Sequence, residues 1–135
     1  MNEVRRYRVL ETLGKGGFGT VYRAELLGSG GFAKQVALKV LNDEGQREIA
    51  LRLRDEARIL GLLHHRAVVG VDNLVRLDPG WAVVMEYVAG VDATSLIRYG
   101  PAPVRVVLEI IEEVASALHA AYSQPSEMTG KPLYL

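Results

Sequence analysis

Strand-forming residues cluster in three short runs near the start of the chain, and glycine-rich stretches separate these runs. Two further apolar runs follow near the middle, joined by Asp78-Pro79-Gly80, a combination typical of a hairpin turn. The pattern therefore predicts five strands, at residues 7–13, 20–26, 35–41, 71–77 and 81–86.

Apolar residues with helical spacing occupy the remaining segments. Residues 46–63 form a predicted helix, whose apolar stripe is Ile49, Leu53, Ala57, Leu60 and Leu63. Asp92 is placed to cap a short helix that runs through Ile97. A long helix is predicted from Pro103 to about Tyr122, with the stripe Val107, Ile111, Val114, Leu118 and Ala121. Strands followed by helices indicate an α+β fold.

Composition narrows the class of protein. The chain has 135 residues, of which 49% are hydrophobic and 24% charged, so it is long enough for one globular domain with a core. Sixteen basic residues balance sixteen acidic ones, which argues against nucleic-acid binding through bulk charge. The chain has no cysteine, which excludes disulfides and thiolate metal sites. With no membrane-length apolar run and no signal peptide, we expect a cytoplasmic protein.

Three glycines form the pattern G-x-G-x-x-G, at Gly14, Gly16 and Gly19. The pattern alone leaves three interpretations open: a plain glycine-rich turn, a dinucleotide-binding βαβ unit, or a glycine loop between antiparallel strands that approaches a triphosphate. The dinucleotide interpretation requires a helix directly after Gly19. The residues that follow, Thr20-Val21-Tyr22, favour a strand instead.

Lys39 and Glu56 each interrupt an apolar pattern. Lys39 lies on a predicted strand with apolar neighbours on both faces, and Glu56 lies inside the apolar stripe of the 46–63 helix. A covered lysine can still extend its ammonium group to solvent, and Glu56 could pair with Arg52 on its own helix. Since each breaks its own pattern, we expect the two side chains to form an ion pair with each other.

Four elements in this order resemble a protein kinase, most closely the bacterial Ser/Thr type. They are the glycine-rich run Leu13 to Val21, the strand motif Val36-Ala37-Leu38-Lys39, Asp55-Glu56-Ala57 in the following helix, and Val84-Met85-Glu86-Tyr87-Val88. The resemblance implies a kinase N-lobe with a five-stranded antiparallel sheet and one helix. It also implies a hinge and the first helices of a C-lobe. The implied boundaries are 1–86 for the N-lobe, 87–91 for the hinge and 92–135 for an incomplete C-lobe.

The resemblance also implies an ATP site. The glycine loop would cover the phosphates, Lys39 would contact the α- and β-phosphates, and Glu56 would hold Lys39 in place. Met85 would stand at the back of the base pocket, and the backbones of Glu86 and Val88 would bind adenine. Asp92 is placed to bind ribose, besides capping its helix. The implied ATP-binding residues are Leu13, Gly14, Lys15, Gly16, Gly17, Phe18, Gly19, Val21, Ala37, Lys39, Met85, Glu86, Val88 and Asp92.

The catalytic motifs of a kinase are missing from these residues. The chain contains neither His-Arg-Asp nor Asp-Phe-Gly, and His64-His65-Arg66 is interpreted as an ordinary helix C-terminus. The Mg²⁺ ligands of a complete enzyme would therefore come from outside these residues, and we expect the chain alone to be inactive. Leu133-Tyr134-Leu135 resembles the start of a strand, which suggests a truncated kinase whose partners are ATP, a protein substrate and the missing C-lobe. The alternative is a naturally short half-kinase that binds nucleotide or docks without catalysis.

Overall fold

The computed structural model describes residues 5–17, 19–41, 47–78 and 80–125, with the side chains of 47–50, 52–54 and 56 left out. The chain forms five strands and three α-helices within these ranges. A short 3₁₀ turn at Ser29–Gly31 joins the second and third strands. The elements are β1 (Arg6–Gly16), β2 (Gly19–Leu27), β3 (Ala33–Leu41), α1 (Arg47–Leu62), β4 (Val71–Arg76), β5 (Trp81–Glu86), α2 (Ala93–Arg98) and α3 (Val104–Ser123).

All five strands join one antiparallel sheet in the order β1-β2-β3-β5-β4. The only break in sequence order is the placement of β5 beside β3, which moves β4 to the edge. The β4–β5 turn is closed by a hydrogen bond of 2.8 Å from the Leu77 N–H to the Gly80 carbonyl. The sheet therefore has β1 and β4 as its two edge strands.

Alternation along β3 divides the sheet into two faces. One face carries the apolar core, because directly paired residues of neighbouring antiparallel strands lie on the same side. Val36 pairs with Ala24 of β2, and Leu38 pairs with Val84 of β5. The core residues on this face are Ala24, Val36, Leu38, Ala82 and Val84, all 2% exposed or less.

β1 extends three residues further than the sequence pattern predicts. Its pairing with β2 continues through Lys15 opposite Thr20 to Gly16 opposite Gly19. Glycine-rich composition suggests a loop, but the backbone still pairs because a tight hairpin brings the two strands together. Two register shifts, between Val9 and Glu11 and between Thr12 and Gly14, bend this edge strand.

The three helices follow their predicted patterns closely. α1 packs against β4, and Ala57 of its predicted stripe is buried. Asp92 caps α2 by accepting a hydrogen bond of 2.6 Å from the Ser95 N–H, as predicted. α3 begins directly after Pro103, which occupies its N-cap position. The predicted turn at 42–45, the predicted strand at 133–135 and most of the loop before it lie outside the described residues.

Backbone contacts divide the chain into two compact units. The first, which we call the sheet unit, comprises Met1–Leu62 and Val69–Val88. The second, the helix unit, comprises Leu63–Val68 and Ala89–Leu135. The lobe and hinge boundaries implied by the sequence stay a prediction.

Inside the helix unit, the segment 63–68 is joined to α3 by side-chain contacts. The His65 ring accepts a hydrogen bond from the Ala67 N–H at Nδ1, so its Nε2 is free to donate to the Ser116 hydroxyl at 3.0 Å. Arg66 forms a bidentate ion pair with Glu113, whose Nε–Oε2 contact is 2.8 Å. The sequence interpretation treated these residues as an ordinary helix end and missed the partners on α3.

The apolar stripe of α3 lies on the exposed surface of the molecule. No residue of α3 is buried, and Leu118 is 66% exposed. Helical spacing identified the stripe correctly, but spacing cannot say whether another layer covers it. None of the helices in the described part of the chain is long and apolar enough to cross a membrane, and the predicted compartment stays a prediction.

Candidate nucleotide-binding site

Two adjacent rows of residues cross the sheet on the face opposite the core. The first row runs through Gly14, Val21, Lys39 and Val83, one residue from each of β1, β2, β3 and β5. Because paired residues share a face, Lys39 and Val21 project to the same side as the start of the glycine run. Lys39 is half-buried on this surface. The row brings an anion-binding side chain and a glycine backbone to one part of the sheet.

The second row lies one pleat further along the strands. It contains Arg23, Ala37, Met85 and, at the start of β4, Val71. Ala37, which has the smallest side chain of this row, is 8% exposed. The separation between the two rows is two residues along a strand, roughly 7 Å. An elongated ligand could therefore bind one group at Ala37 and another at Lys39.

The chain leaves β5 beside the second row with its backbone anchored on one side. The Glu86 N–H donates to the Gly70 carbonyl at 2.9 Å, and the Glu86 carboxylate accepts from the Gly70 N–H at 3.2 Å. Two residues later, Val88 is 58% exposed. Among the described residues, no hydrogen bond is made by the Val88 N–H or carbonyl. A hydrogen-bond donor and an acceptor are thus available at the end of the second row.

The glycines of the G-x-G-x-x-G pattern have different surroundings. A Cβ atom added to Gly19 would lie 2.2 Å from the Val40 carbonyl oxygen, and its φ of +155° also disfavours a side chain. At Gly14, Gly16 and Gly17, an added Cβ would meet nothing within 4 Å. Gly19 is therefore required by packing against β3, whereas the other three leave the backbone open to approach from outside.

The dinucleotide-binding interpretation of the glycine run is wrong. That motif needs a helix opening at the third glycine, whereas Gly19 is the first residue of strand β2. The β-branched and aromatic residues that follow Gly19 explain the strand, since they pack well on a pleated surface. A glycine hairpin between antiparallel strands is the arrangement found.

Among the other predicted site residues, some are exposed and some lie outside the described part of the structure. Leu13 is 46% exposed, and Lys15 is also exposed. Phe18 lies outside the described residues, as does the side chain of Glu56. The ion pair between Lys39 and Glu56 therefore stays a prediction.

Asp92 has a structural role that the sequence already suggested. The pKa of its carboxyl group is lowered, first by the hydrogen bond from the Ser95 backbone N–H and then by the Ser95 side chain. Asp92 belongs to the helix unit and the glycine hairpin to the sheet unit, so its predicted contact with ribose stays a prediction.

Sequence reasoning missed two side chains that contact the proposed site. Arg23 lies in the second row between Glu11 of β1 and Ala37 of β3, and its guanidinium carbon is 5.7 Å from the ring centre of Tyr87. No local sequence pattern indicates this contact, because Arg23 and Tyr87 lie far apart in the chain and meet only in the folded sheet. The carboxylate of Glu86 was also missed, because only its backbone had been considered.

A cavity of about 600 Å³ lies elsewhere in the sheet unit. It opens between the start of β1, the end of β2 and the start of β4, and its walls include Tyr7, Leu26, Phe32 and Asp72. None of the predicted site residues lines it. The candidate site lies on the sheet face opposite the core and not in this cavity.

Comparison with known families identifies the chain. The model of the protein kinase domain matches residues 7–125, which is most of the sequence. The chain belongs to the protein kinase domain family. This match confirms the resemblance seen in the glycine run, the β3 motif and the end of β5.

Two curated kinases and one solved kinase domain illustrate the relationship. Serine/threonine-protein kinase pkn2 of Myxococcus xanthus is 34% identical over 121 residues, which is 88% of this chain and 14% of that protein. Tyrosine-protein kinase MasK of the same species is 31% identical over 136 residues, covering 94% of this chain and 21% of the relative. The crystal structure of the Mycobacterium tuberculosis PknI kinase domain matches with a TM-score of 0.69 and 30% identity.

The PknI match covers 90% of this chain and 50% of the solved kinase domain. The chain thus spans about half of a kinase domain and about a fifth or less of the curated relatives. The structural match to PknI confirms the predicted fold class, a kinase-like five-stranded antiparallel sheet followed by helices.

Proposed function

We propose that this chain is the ATP-binding portion of a Ser/Thr protein kinase. In the complete enzyme, the γ-phosphoryl group of ATP would pass to a protein hydroxyl, and these residues would position the nucleotide. The proposal is carried by the two neighbouring rows, one with Gly14 and Lys39 and the other with Ala37 and Met85. Their spacing suits a ligand with a triphosphate at one end and a flat base at the other.

Different residues of the two rows would bind the phosphates and the base. The open backbone at Gly14, Gly16 and Gly17 leaves space for phosphate oxygens, and Lys39 supplies a positive charge. Val21 and Ala37 offer small apolar contacts to the base. The backbone N–H and carbonyl of Val88, which form no hydrogen bond within the described part of the chain, would bind the edge of adenine.

The Mg²⁺ ions that accompany ATP in a kinase need ligands of their own. Within the described residues, no cluster of three His, Asp or Glu side chains could hold a metal ion. We expect the metal ligands of the complete enzyme to come from the Asp-Phe-Gly and catalytic-loop motifs, which this sequence does not contain. Bound Mg²⁺ would neutralise charge on the phosphates, and the role of this chain is limited to holding the nucleotide.

ATP binding by the purified chain tests the proposal. Lys39→Ala should weaken ATP binding by about tenfold or more, because it removes a charge-assisted contact to phosphate. Lys34→Ala is the matched control, since Lys34 is also on β3 but is exposed and paired with Asp72 at 2.8 Å. Adenosine affinity should be unchanged in both variants. No measurable ATP binding by the wild-type chain, or equal losses in the two variants, would contradict the proposal.

Glu56 offers a second, separate test of the site. If it pairs with Lys39, Glu56→Ala should weaken ATP binding while leaving the sheet folded, as judged by circular dichroism. Unchanged affinity would mean that Glu56 does not hold Lys39 in this chain.

Phosphoryl transfer distinguishes nucleotide binding from catalysis. With no His-Arg-Asp or Asp-Phe-Gly motif, the chain alone should transfer no labelled phosphate to a protein acceptor. Incorporation that disappears in Lys39→Ala would overturn this expectation. Sequencing the coding DNA past the codon for Leu135 separates the alternatives. A frame that continues into both motifs favours the portion of a larger kinase, and an immediate stop favours a short binding or docking module.

A further inference from the structure

Arg23 occupies the centre of β2, on the same sheet face as Lys39. In register it lies opposite Glu11 on β1 and Ala37 on β3. Its Nε atom is 2.8 Å from Glu11 Oε1, which makes an ion pair. The same nitrogen is buried, and the angle of its N–H is unsuitable for a hydrogen bond. The guanidinium group of Arg23 is thus paired with an acidic side chain on the edge strand.

The same guanidinium group also contacts an aromatic ring beyond the last strand residue of β5. The guanidinium carbon lies 5.7 Å from the centre of the Tyr87 ring, within the range of a cation–π contact. Tyr87 follows the last residue of β5 and precedes Val88, whose backbone groups are unpaired among the described residues. Glu11, Arg23 and Tyr87 therefore connect both strands of the glycine hairpin to the segment proposed to bind adenine.

Two similar contacts in the sheet unit make no such connection. Arg8 pairs with Glu25 at 3.6 Å on the same two strands, but no ring lies over Arg8 among the described contacts. Arg76 lies 5.7 Å from the Trp81 ring centre, but these two residues are direct neighbours across the β4–β5 hairpin. Of these three contacts between described residues, the Arg23 contact is the one that links a strand to the segment after β5.

We propose that Arg23 is a positioning residue that fixes Tyr87, and through it the backbone of Val88, for recognition of the adenine base. This inference rests on the proposed nucleotide-binding function. The planar guanidinium can stack on Tyr87 and face Glu11 at once, which a smaller or uncharged side chain cannot do. Arg23 acts at the base end of the site, whereas Lys39 acts at the phosphate end.

Binding measurements with ligand fragments test this division. The purified 135-residue chain is titrated calorimetrically with ATP, adenosine and inorganic triphosphate. Arg23→Met should weaken adenosine and ATP by about fivefold and leave triphosphate within about twofold. Arg23→Lys should recover part of the loss, because it keeps a charge near Glu11 without the planar stack. Arg8→Met and Arg76→Met, the matched controls, should bind all three ligands like the wild type.

A second variant keeps the test valid if Arg23→Met does not fold. Tyr87→Leu removes the ring from a segment outside the sheet and should give the same loss for adenosine. The double variant should lose no more than either single variant, because both remove one contact. Hydrogen exchange at the Val88 amide, measured without nucleotide, should be faster in Arg23→Met than in Arg8→Met.

The outcomes separate this inference from the proposed function. If the wild-type chain binds no ATP, the nucleotide-binding function fails and this inference fails with it. If the wild type binds ATP but Arg23→Met binds adenosine normally, only the role of Arg23 is overturned. An equal loss for adenosine and triphosphate would also overturn it, since that result indicates general damage to the fold.

Discussion

The sheet and helix α3 are both rich in apolar residues, yet they differ completely in burial. In the sheet, Val36 and Ala24 are fully buried, and Leu38 is 2% exposed. In α3, no residue is buried, and Val104 is 75% exposed. The apolar side chains of the sheet are buried by other side chains on or beside its own strands. No described residue buries the apolar stripe of the helix. An apolar pattern therefore indicates a surface suited to packing, but it does not show whether a partner covers that surface.

Truncating one leucine in each region should give the largest contrast. Leu38→Ala should lower the free energy of unfolding by about 2–5 kcal/mol, because it leaves a cavity in a packed core. Leu118→Ala, the matched control in α3, should change it by no more than about 0.5 kcal/mol. Denaturant unfolding followed by the fluorescence of Trp81, the single tryptophan, measures both. Equal losses would break the comparison.

Within the glycine run, a packed and an unpacked position should also differ in their effect on the free energy of unfolding, by a smaller amount. Gly19→Ala should cost about 1–3 kcal/mol, since its Cβ would collide with the Val40 carbonyl oxygen. Gly16→Ala meets nothing within 4 Å and should leave stability within about 0.5 kcal/mol. The same denaturant measurement applies. A destabilised Gly16→Ala would mean that the open side of the hairpin is packed after all.

Self-association should depend on the exposed stripe of α3. Replacing Ile111 and Leu118 together by lysine should reduce association seen by light scattering, with little change in stability. His119→Lys with Ser123→Lys is the matched control, because both positions are exposed on a different side of the same helix. If both double variants reduce association alike, added charge rather than the stripe is responsible.

The smallest effect should come from Asp92. Its pKa is lowered by the hydrogen bonds from Ser95, so the cap stabilises α2 fully above the unfolded carboxyl value of about 3.9. This contribution should be lost as the pH falls through the lower folded value. The Ser95 amide shift, followed by NMR during acidification, should report a midpoint below 3.9. Asp92→Asn keeps a capping oxygen and should remove the titration while retaining the cap. A midpoint at or above 3.9 would contradict the expectation.

Local patterns explain why most elements could be predicted. Alternation at Val36, Leu38 and Val40 identified the buried face of β3, and the Asp92 cap identified the start of α2. The length of β1 could not be obtained this way, because pairing of Gly16 with Gly19 depends on the neighbouring strand rather than on local preference.

Parts of the candidate site could be predicted where a short sequence motif singles out the residue. The strand motif singled out Lys39 and Ala37, and the structure places both on one face of β3, while their roles in binding ATP stay a prediction. Arg23 could not be found, because its role depends on Tyr87, which is 64 positions later and meets it only in the folded sheet. Arg66 and Glu113 were missed for the same reason, being brought together across 47 positions.

The division of the chain into units has a consequence for how such a gene could be shuffled. The backbone passes between the sheet unit and the helix unit at three places, after residues 62, 68 and 88. A single recombination point at the codons for residues 87–91 would carry 63–68 away with the strands and separate Arg66 from Glu113. An exchange that preserves both units must transfer two stretches of coding sequence together, so inheritance should favour moving the whole region over swapping either half.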